Sequence, residues 1–305
     1  MHGMETRILP SVIVTRSGKK LDWVVDPVTL LSLSPEPTQF MRNKMLGCGG
    51  LLILTLSAIA QTTDPVPEAN PARPTVSTPA TLTPLGFLQF ETGGLGALTS
   101  GEFGTRIGIN QVTKLTVLPR LEFFVQTEPY VHSSDRNGKD KEIHAGEVFV
   151  GAQAILVPGD GARPTIAMSY VRRLYESPAP ELDLGTFRQS GAILLSDDLA
   201  GFHFDANLIV TEETESGDRR AQLAQTLSIS HPLKKFTLSG EIWHFTQPYL
   251  NSNALGNLWA LSYSLRRNLV IDGGFDRGLT STSTHWEEFI GFTYLLPRRL
   301  GQNKK

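Results

Sequence analysis

The chain has 305 residues, 40% of them hydrophobic and 19% charged, with a formal net charge of −2. That balance argues against a nucleic-acid binder, which carries a strong basic excess, and no apolar run reaches the roughly 18–20 residues that a membrane-crossing helix needs. The one cysteine, Cys48, excludes an intramolecular disulfide and a metal site built from cysteines.

Residues 1–40 follow neither a helical nor a strand period and carry Pro10, Pro27, Pro35 and Pro37. They read as an upstream extension outside the fold, with translation starting at Met41. Residues 41–60 read as a secretory signal peptide. Basic Met41-Arg42-Asn43-Lys44 precedes an apolar segment from Met45 to Ala60, which closes on Ala58-Ile59-Ala60 before Gln61. An uncleaved anchor is the alternative. Cys48 sits near the beginning of the apolar segment rather than after it, which argues against lipidation. Cleavage after Ala60 leaves a chain without cysteine, which suits an oxidising compartment. Residues 61–84 contain Pro65, Pro67, Pro71, Pro74, Pro79 and Pro84 and show no pattern that packs a core. They read as a Pro/Thr-rich periplasmic linker.

From Leu85 the period is two. Phe202, Phe204, Ala206, Leu208 and Val210 share one face of a strand and His203, Asp205 and Asn207 the other. Ala221, Leu223, Leu227 and Ile229 likewise oppose Arg220, Gln222, Thr226 and Ser228. About twelve such segments are counted by this alternation, beginning near residues 85, 103, 115, 145, 163, 186, 200, 219, 235, 255, 268 and 284. Short connections (Val112-Thr113-Lys114, 158–162, 197–199, 231–234, 266–268) alternate with longer ones (93–102, 128–143, 176–184, 212–218, 247–254, 278–283). An up-and-down barrel with one rim of tight turns sorts its loops in this way, whereas a secreted β-sandwich, the soluble rival, has no reason to. The expected fold is therefore all-β, an antiparallel up-and-down transmembrane β-barrel of about twelve strands over residues 85–300, followed by a basic tail at 301–305. An even strand count puts both termini on the tight-turn, periplasmic side.

Such a barrel turns its apolar faces, with Phe204, Leu208, Leu227, Ile271 and Phe292, to lipid. Parity then places Glu91, Arg106, Arg120, Glu122, Glu147, Asp205, Arg220, Glu241, Asp272 and Asp276 on the lumen-lining faces. Charges of both signs must there pair with one another or meet lumen water. Asp205, Asp272 and Asp276 have no basic residue at mid-strand on the adjacent later segments and would bias a permeation path towards cations. Alternatively, the charges hold a plugged barrel together. Tyr130, Tyr175, Trp243, Tyr249, Trp259, Tyr263, Trp286 and Tyr294 mostly fall near strand ends and suit an interfacial girdle.

The stretches Gly86-Phe87-Leu88-Gln89-Phe90-Glu91-Thr92-Gly93, Leu115 to Tyr130, Leu269 to Leu279 and Phe289 to Tyr294, with Glu241-Ile242-Trp243 on a late strand, resemble the bacterial outer-membrane family named for the meta-pathway of phenol degradation. The resemblance spans Leu85 to Leu296. It implies an outer-membrane barrel that moves small molecules, aromatic or hydrophobic ones among them, and it implies no catalytic residues. Outer-membrane barrels usually end at an aromatic residue read by the barrel-assembly machinery. This chain continues beyond Phe292, Tyr294 and Leu296, which form an internal version of that signal.

Catalytic chemistry has thin support. His132-Ser133-Ser134-Asp135-Arg136-Asn137-Gly138 resembles the His-x-Ser region of outer-membrane phospholipases, yet Ser, Asp, Asn and Gly are also turn residues. His144, His203, His231, His244 and His285 are dispersed and form no ligand cluster, and Gly94-Leu95-Gly96 opens no helix to hold a phosphate. The expectation is a channel or uptake protein for small solutes, without catalytic residue, metal or cofactor. Its expected partners are outer-membrane lipid, the barrel-assembly machinery and the solute, with no nucleic acid. A plugged structural or binding barrel and a lipid-acting hydrolase are the alternatives.

Overall fold

The computed structural model describes residues 66–161, 163–180, 182, 187–215 and 217–300. The upstream extension, the signal peptide with Cys48, residues 61–65 and the basic tail lie outside the described residues. Thirteen strands follow one another: β1 (Leu88–Leu98), β2 (Thr105–Leu118), β3 (Leu121–Ser134), β4 (Lys141–His144), β5 (Val148–Val157), β6 (Thr165–Tyr175), β7 (Phe187–Leu199), β8 (Phe202–Glu215), β9 (Asp218–Leu233), β10 (Phe236–Gln247), β11 (Ser252–Arg266), β12 (Leu269–Gly278) and β13 (Trp286–Leu295). Twelve of them form a closed antiparallel ring, because β13 pairs with β1 and β5 pairs with β3. The four-residue β4 is a spur on the end of β3, added to the expected twelve. Closure leaves the ring itself no open edge, so its backbone donors and acceptors are spent on neighbouring strands.

The strands run further than the sequence reading has them: 93–98 belong to β1, 128–134 to β3, 197–199 to β7, 231–233 to β9 and 252–254 to β11, and two connections differ more deeply. Val112, Thr113 and Lys114 are not a turn. The alternation runs through them, and β2 ends at the two-residue turn Pro119-Arg120, where proline removes a ladder donor. At the other rim, β8 and β9 extend into a long hairpin whose connection is only 216–217, not 212–218. The remaining tight turns (200–201, 234–235, 267–268) gather on the rim where β1 begins and β13 ends.

The period of two sorts side chains cleanly. On β9, buried Gln222, Ala224, Thr226 and Ser228 alternate with exposed Leu223, Leu227 and Ile229. On β8, buried Asp205, Asn207 and Thr211 alternate with exposed Leu208 and Val210. This inverts a water-soluble protein, in which the apolar face is the covered one. Large exposed side chains such as Ile107, Phe123, Ile193, Trp259, Ile271 and Ile290 recur around the ring, far more than the scattered apolar surface of a soluble monomer.

The inner face also has apolar islands, and glycines make room for them. Trp243 points inward rather than joining a girdle. It is stacked on Phe245 at 4.8 Å and packed with Ala224 and Ala254. Its register partner on β11 is Gly256, where a Cβ would come within 2.1 Å of the indole. Gly256→Val should therefore force the indole off its seat and destabilise the barrel by about 1–3 kcal/mol, the usual cost of overpacking. A lowered unfolding temperature would register it, whereas the outward Gly191→Val, with no atom within 4 Å of its Cβ position, should leave that temperature nearly unchanged.

Candidate functional site

Residues 66–84, the described part of the expected linker, lie against the inner faces of strands from all around the ring. Asn70 N–H donates to Gln89 Oε1 on β1, Ala72 N–H to Glu91 Oε1 on β1, and Val76 and Ser77 N–H to the two carboxylate oxygens of Glu241 on β10. Thr78 N–H reaches Asn207 Oδ1 on β8, Ala80 N–H reaches Ser196 Oγ on β7, and Thr83 N–H reaches Glu122 Oε2 on β3. On β5, Gln153 donates its amide to the Pro79 carbonyl at 2.9 Å. A segment this short touches strands on opposite sides of a closed ring only from within it. Asn70 and Thr81 also hydrogen-bond to each other, so the chain doubles back across the bore. The segment therefore occupies the lumen, towards the tight-turn rim.

The difference from an extended linker has a physical reason. Prolines at 71, 74, 79 and 84 carry no N–H, so the segment cannot form a strand ladder. Each remaining donor named above needs a separate acceptor once it leaves water. Inward Glu, Gln, Asn and Ser side chains provide those acceptors at the right places. Small apolar residues fill in between: Ala69 packs with Val270 and Leu295, Val76 against Trp243 and Phe245, and Ala80 with Ala167 and Leu194.

Arg73 is the one cation that the segment brings to the inner wall. Its Nη2 lies 3.0 Å from Asp272 Oδ1, and its Nε also donates to that carboxylate. The guanidinium occupies a notch between Gly93 on β1 and Gly291 on β13, which are register partners. A Cβ at either would come within 2.5 or 2.6 Å of the guanidinium, so only glycine admits it. The Asp272 side chain is 1% exposed, and such a buried carboxylate requires a charged or strongly hydrogen-bonding partner.

The other expected lumen residues divide into three groups. Glu91, Arg106, Glu122, Asp205, Glu241, Asp272 and Asp276 are buried on inward faces. Glu91 pairs with Lys114 at 2.6 Å, Arg106 with Glu128 at 2.6 Å, and Asp276 accepts the Trp243 indole N–H at 2.6 Å. Asp205 accepts from the Ser196 hydroxyl and contacts His203. Glu147 is half-buried just before β5 and pairs with Arg173 at 3.1 Å. Arg120 and Arg220 do not join them. Arg120 is exposed in the β2–β3 turn, where strand parity no longer applies. Arg220 keeps inward parity but lies at the open end of β9, bonded to the Pro248 carbonyl and stacked over Tyr249. Lys114, Glu128 and Arg173 are partners that the sequence reading missed. The sequence reading places Lys114 in a short connection and Glu128 in the long connection 128–143, whereas both lie on strands, β2 and β3.

In the His132–Gly138 stretch, the Ser134 hydroxyl bonds to Thr105 rather than to His132. Asp135 accepts the N–H groups of Lys139 and Asp140, as a turn residue does. No group of three or more His, Cys, Asp or Glu suited to a metal occurs among the described residues.

No protein-family model and no curated protein matches the chain. Among solved structures it is similar to an outer membrane channel from Pseudomonas putida F1, with a TM-score of 0.55 and 11% identity over 75% of this chain and all of that one. It also matches the NanC porin (TM-score 0.48, 12% identity, 67% of this chain and all of that one) and the KdgM porin (TM-score 0.46, 9% identity, 68% and 98%). At these identities, the first of them bears on the barrel fold alone.

Removing one partner of a buried ion pair typically costs about 3–5 kcal/mol. Arg73→Ala should accordingly loosen the segment. Proteinase K cleavage within residues 66–84, mapped by mass spectrometry, should become faster, and the Arg73→Ala/Asp272→Ala double variant should regain part of the lost stability.

Proposed function

We propose that the chain is an outer-membrane channel for small solutes, with residues 66–84 occupying its lumen in the resting state. The observation that carries this reading is the inversion of polarity in a closed twelve-strand ring. The outer wall is exposed and apolar, and the inner wall holds buried charges. Hydrocarbon outside and a polar bore inside satisfy both walls at once. The tight-turn rim, where the segment enters, faces the periplasm in this proposal.

Aromatic or hydrophobic compounds are the proposed solute class. Besides the Trp243–Phe245 pair, Phe149 on β5 and Phe187 on β7 stack at 4.6 Å, which supplies flat apolar surfaces among the charges. This agrees with the resemblance to the family named for phenol degradation. The proposal assigns no catalytic step. A His-Ser hydrolase needs its base within hydrogen-bond reach of the hydroxyl, and the Ser134 hydroxyl is bonded to Thr105.

When residues 66–84 leave the lumen, Glu122 and Glu241 lose the hydrogen-bond donors that now occupy them, and Asp272 loses the counter-charge of Arg73. The open pore would then be acidic and favour cations. In planar bilayers, deleting residues 66–84 should raise unit conductance severalfold and move the reversal potential in a salt gradient towards that of the cation. Replacing Asp205, Asp272 and Asp276 by Asn in that background should reduce the shift. A deletion variant that inserts correctly but conducts no better than the parent would overturn the channel reading.

The outer wall gives a separate test. Leu227 and Ile271 are 42% and 44% exposed. Arginine at either should cost about 2–4 kcal/mol near the bilayer midplane. Leu227→Arg and Ile271→Arg should show reduced heat-modifiable mobility and reduced yield in membranes.

A further inference from the structure

The outer wall changes character abruptly near the long-loop end of β6, β7, β8 and β9. Strand register aligns Tyr170, Gly191, Val210 and Leu223 in one row. One step towards the rim, it aligns Arg172, Gln189, Glu212 and Ala221. The lower row is apolar, and the row beneath it holds exposed Met168, Ile193 and Leu208. The upper row is a hydrogen-bonded chain. Tyr170 Oη and Arg172 Nη1 both donate to Gln189 Oε1, and Gln189 Nε2 donates to Glu212 Oε2 at 2.6 Å. Tyr170 thus keeps its ring in the apolar row and its hydroxyl in the polar one, as a tyrosine at a water–hydrocarbon boundary does.

Directly above lies a cavity of about 400 Å³ lined by Arg172, Arg173, Arg188 and Arg219, with Glu176. Arg173 is balanced by Glu147 and Glu176, and Arg219 lies 3.4 Å from Glu212. Arg172 bonds to the neutral amide of Gln189, and Arg188 has no carboxylate partner among the described residues. Among the described residues, Arg172 and Arg188 therefore line the cavity without a carboxylate partner of their own. Below, sharing Arg219, a groove of about 540 Å³ runs down the wall past Tyr170 and Val210. The groove exists because Gly191 has no side chain, and nothing lies within 4 Å of the position its Cβ would take.

We propose that this rim site binds the phosphate-bearing headgroup of a membrane lipid, whose acyl chain lies in the groove over Gly191. Guanidinium groups bind phosphoryl oxygens in a planar, two-pronged geometry. A free anion would use the arginines but leave the groove empty, whereas an amphiphile uses both. The site sits where the outer wall turns from apolar to charged, the level at which lipid headgroups meet a barrel. This proposal rests on the membrane reading above, because a barrel in water would meet no such lipid.

The test uses the full chain purified in detergent, with the bisphosphorylated glycolipid lipid A, its dephosphorylated form and inorganic phosphate as separate probes. Binding is read by native mass spectrometry and by thermal shift. Lipid A should give a one-to-one adduct and raise the unfolding temperature, and the other two probes should not. Arg188→Ala and Arg172→Ala should each weaken lipid A binding by about tenfold, as losing a charge-assisted contact does. Gly191→Leu should weaken it by filling the groove while leaving every charge in place. Heat-modifiable mobility and insertion into vesicles, measured on the same samples, report on the membrane reading separately. A parent that inserts but forms no lipid A adduct overturns this site alone. A parent that does not insert overturns both readings. Equal binding by the dephosphorylated lipid, an equal shift with inorganic phosphate, or unaltered binding by all three variants would likewise sink the proposal.

Discussion

Seven backbone N–H groups of a proline-interrupted segment, at Asn70, Ala72, Val76, Ser77, Thr78, Ala80 and Thr83, have to find acceptors inside a barrel whose own backbone is already paired. Much of the interior chemistry follows from that constraint. A buried backbone donor left unpaired costs about as much as a lost hydrogen bond, so each of these groups meets a side chain from the wall. Glu241 receives two of them together with the Ser77 hydroxyl, and Glu122 receives Thr83 through both its N–H and its hydroxyl. Glu91, Glu122 and Glu241 are therefore acceptors for the main chain of this segment.

Some inward charges, Glu91 among them, are also paired across neighbouring strands. Lys114 with Glu91 and Arg106 with Glu128 join β2 to its two neighbours, β1 and β3, and Glu147 with Arg173 ties the start of β5 to β6. Arg106 also donates to the Pro180 carbonyl, so the β6–β7 connection reaches the inner face of β2. Such pairs contribute little to net stability beyond well-packed apolar residues of the same shape, because desolvation offsets most of their attraction. Their effect is on specificity of position. An inward charge that slips by one residue turns to the apolar outer face, so pairing and strand register enforce one another.

Glycine has a comparable role on the inner wall. Gly93, Gly291 and Gly256 are register positions where a neighbour's bulk, a guanidinium in the first two cases and an indole in the third, uses the space that a side chain would take. Gly191 leaves space of the same kind on the outer wall, where it opens a groove instead of seating a neighbour. The same residue type therefore marks a contact inside the barrel and an opening outside it, and only the surroundings distinguish the two.

The period of two determined the all-β class, the near-count of strands and the faces of Phe204, Leu227, Asp205, Glu241 and Asp272, because side-chain direction in a strand follows from local geometry alone. Local geometry also explains where that reading failed. Val112 to Lys114 read as a short connection between two alternating segments, but β-branched Val112 and Thr113 suit a strand, and the register of β2 with β1 and β3 carries the strand through them. Arg120 has the right parity only if the strand continues past Pro119, and it does not. What the sequence could not determine was the place of residues 66–84. Composition alone indicates a chain without a core of its own. Asp272, Glu241, Asn207, Ser196 and Glu122 converge on that segment from positions 39 to 199 residues away along the chain, and only ring closure brings them to one bore. Hydrogen bonds at such separations leave no periodic trace in a sequence, so the occupant of the lumen was decided by tertiary structure.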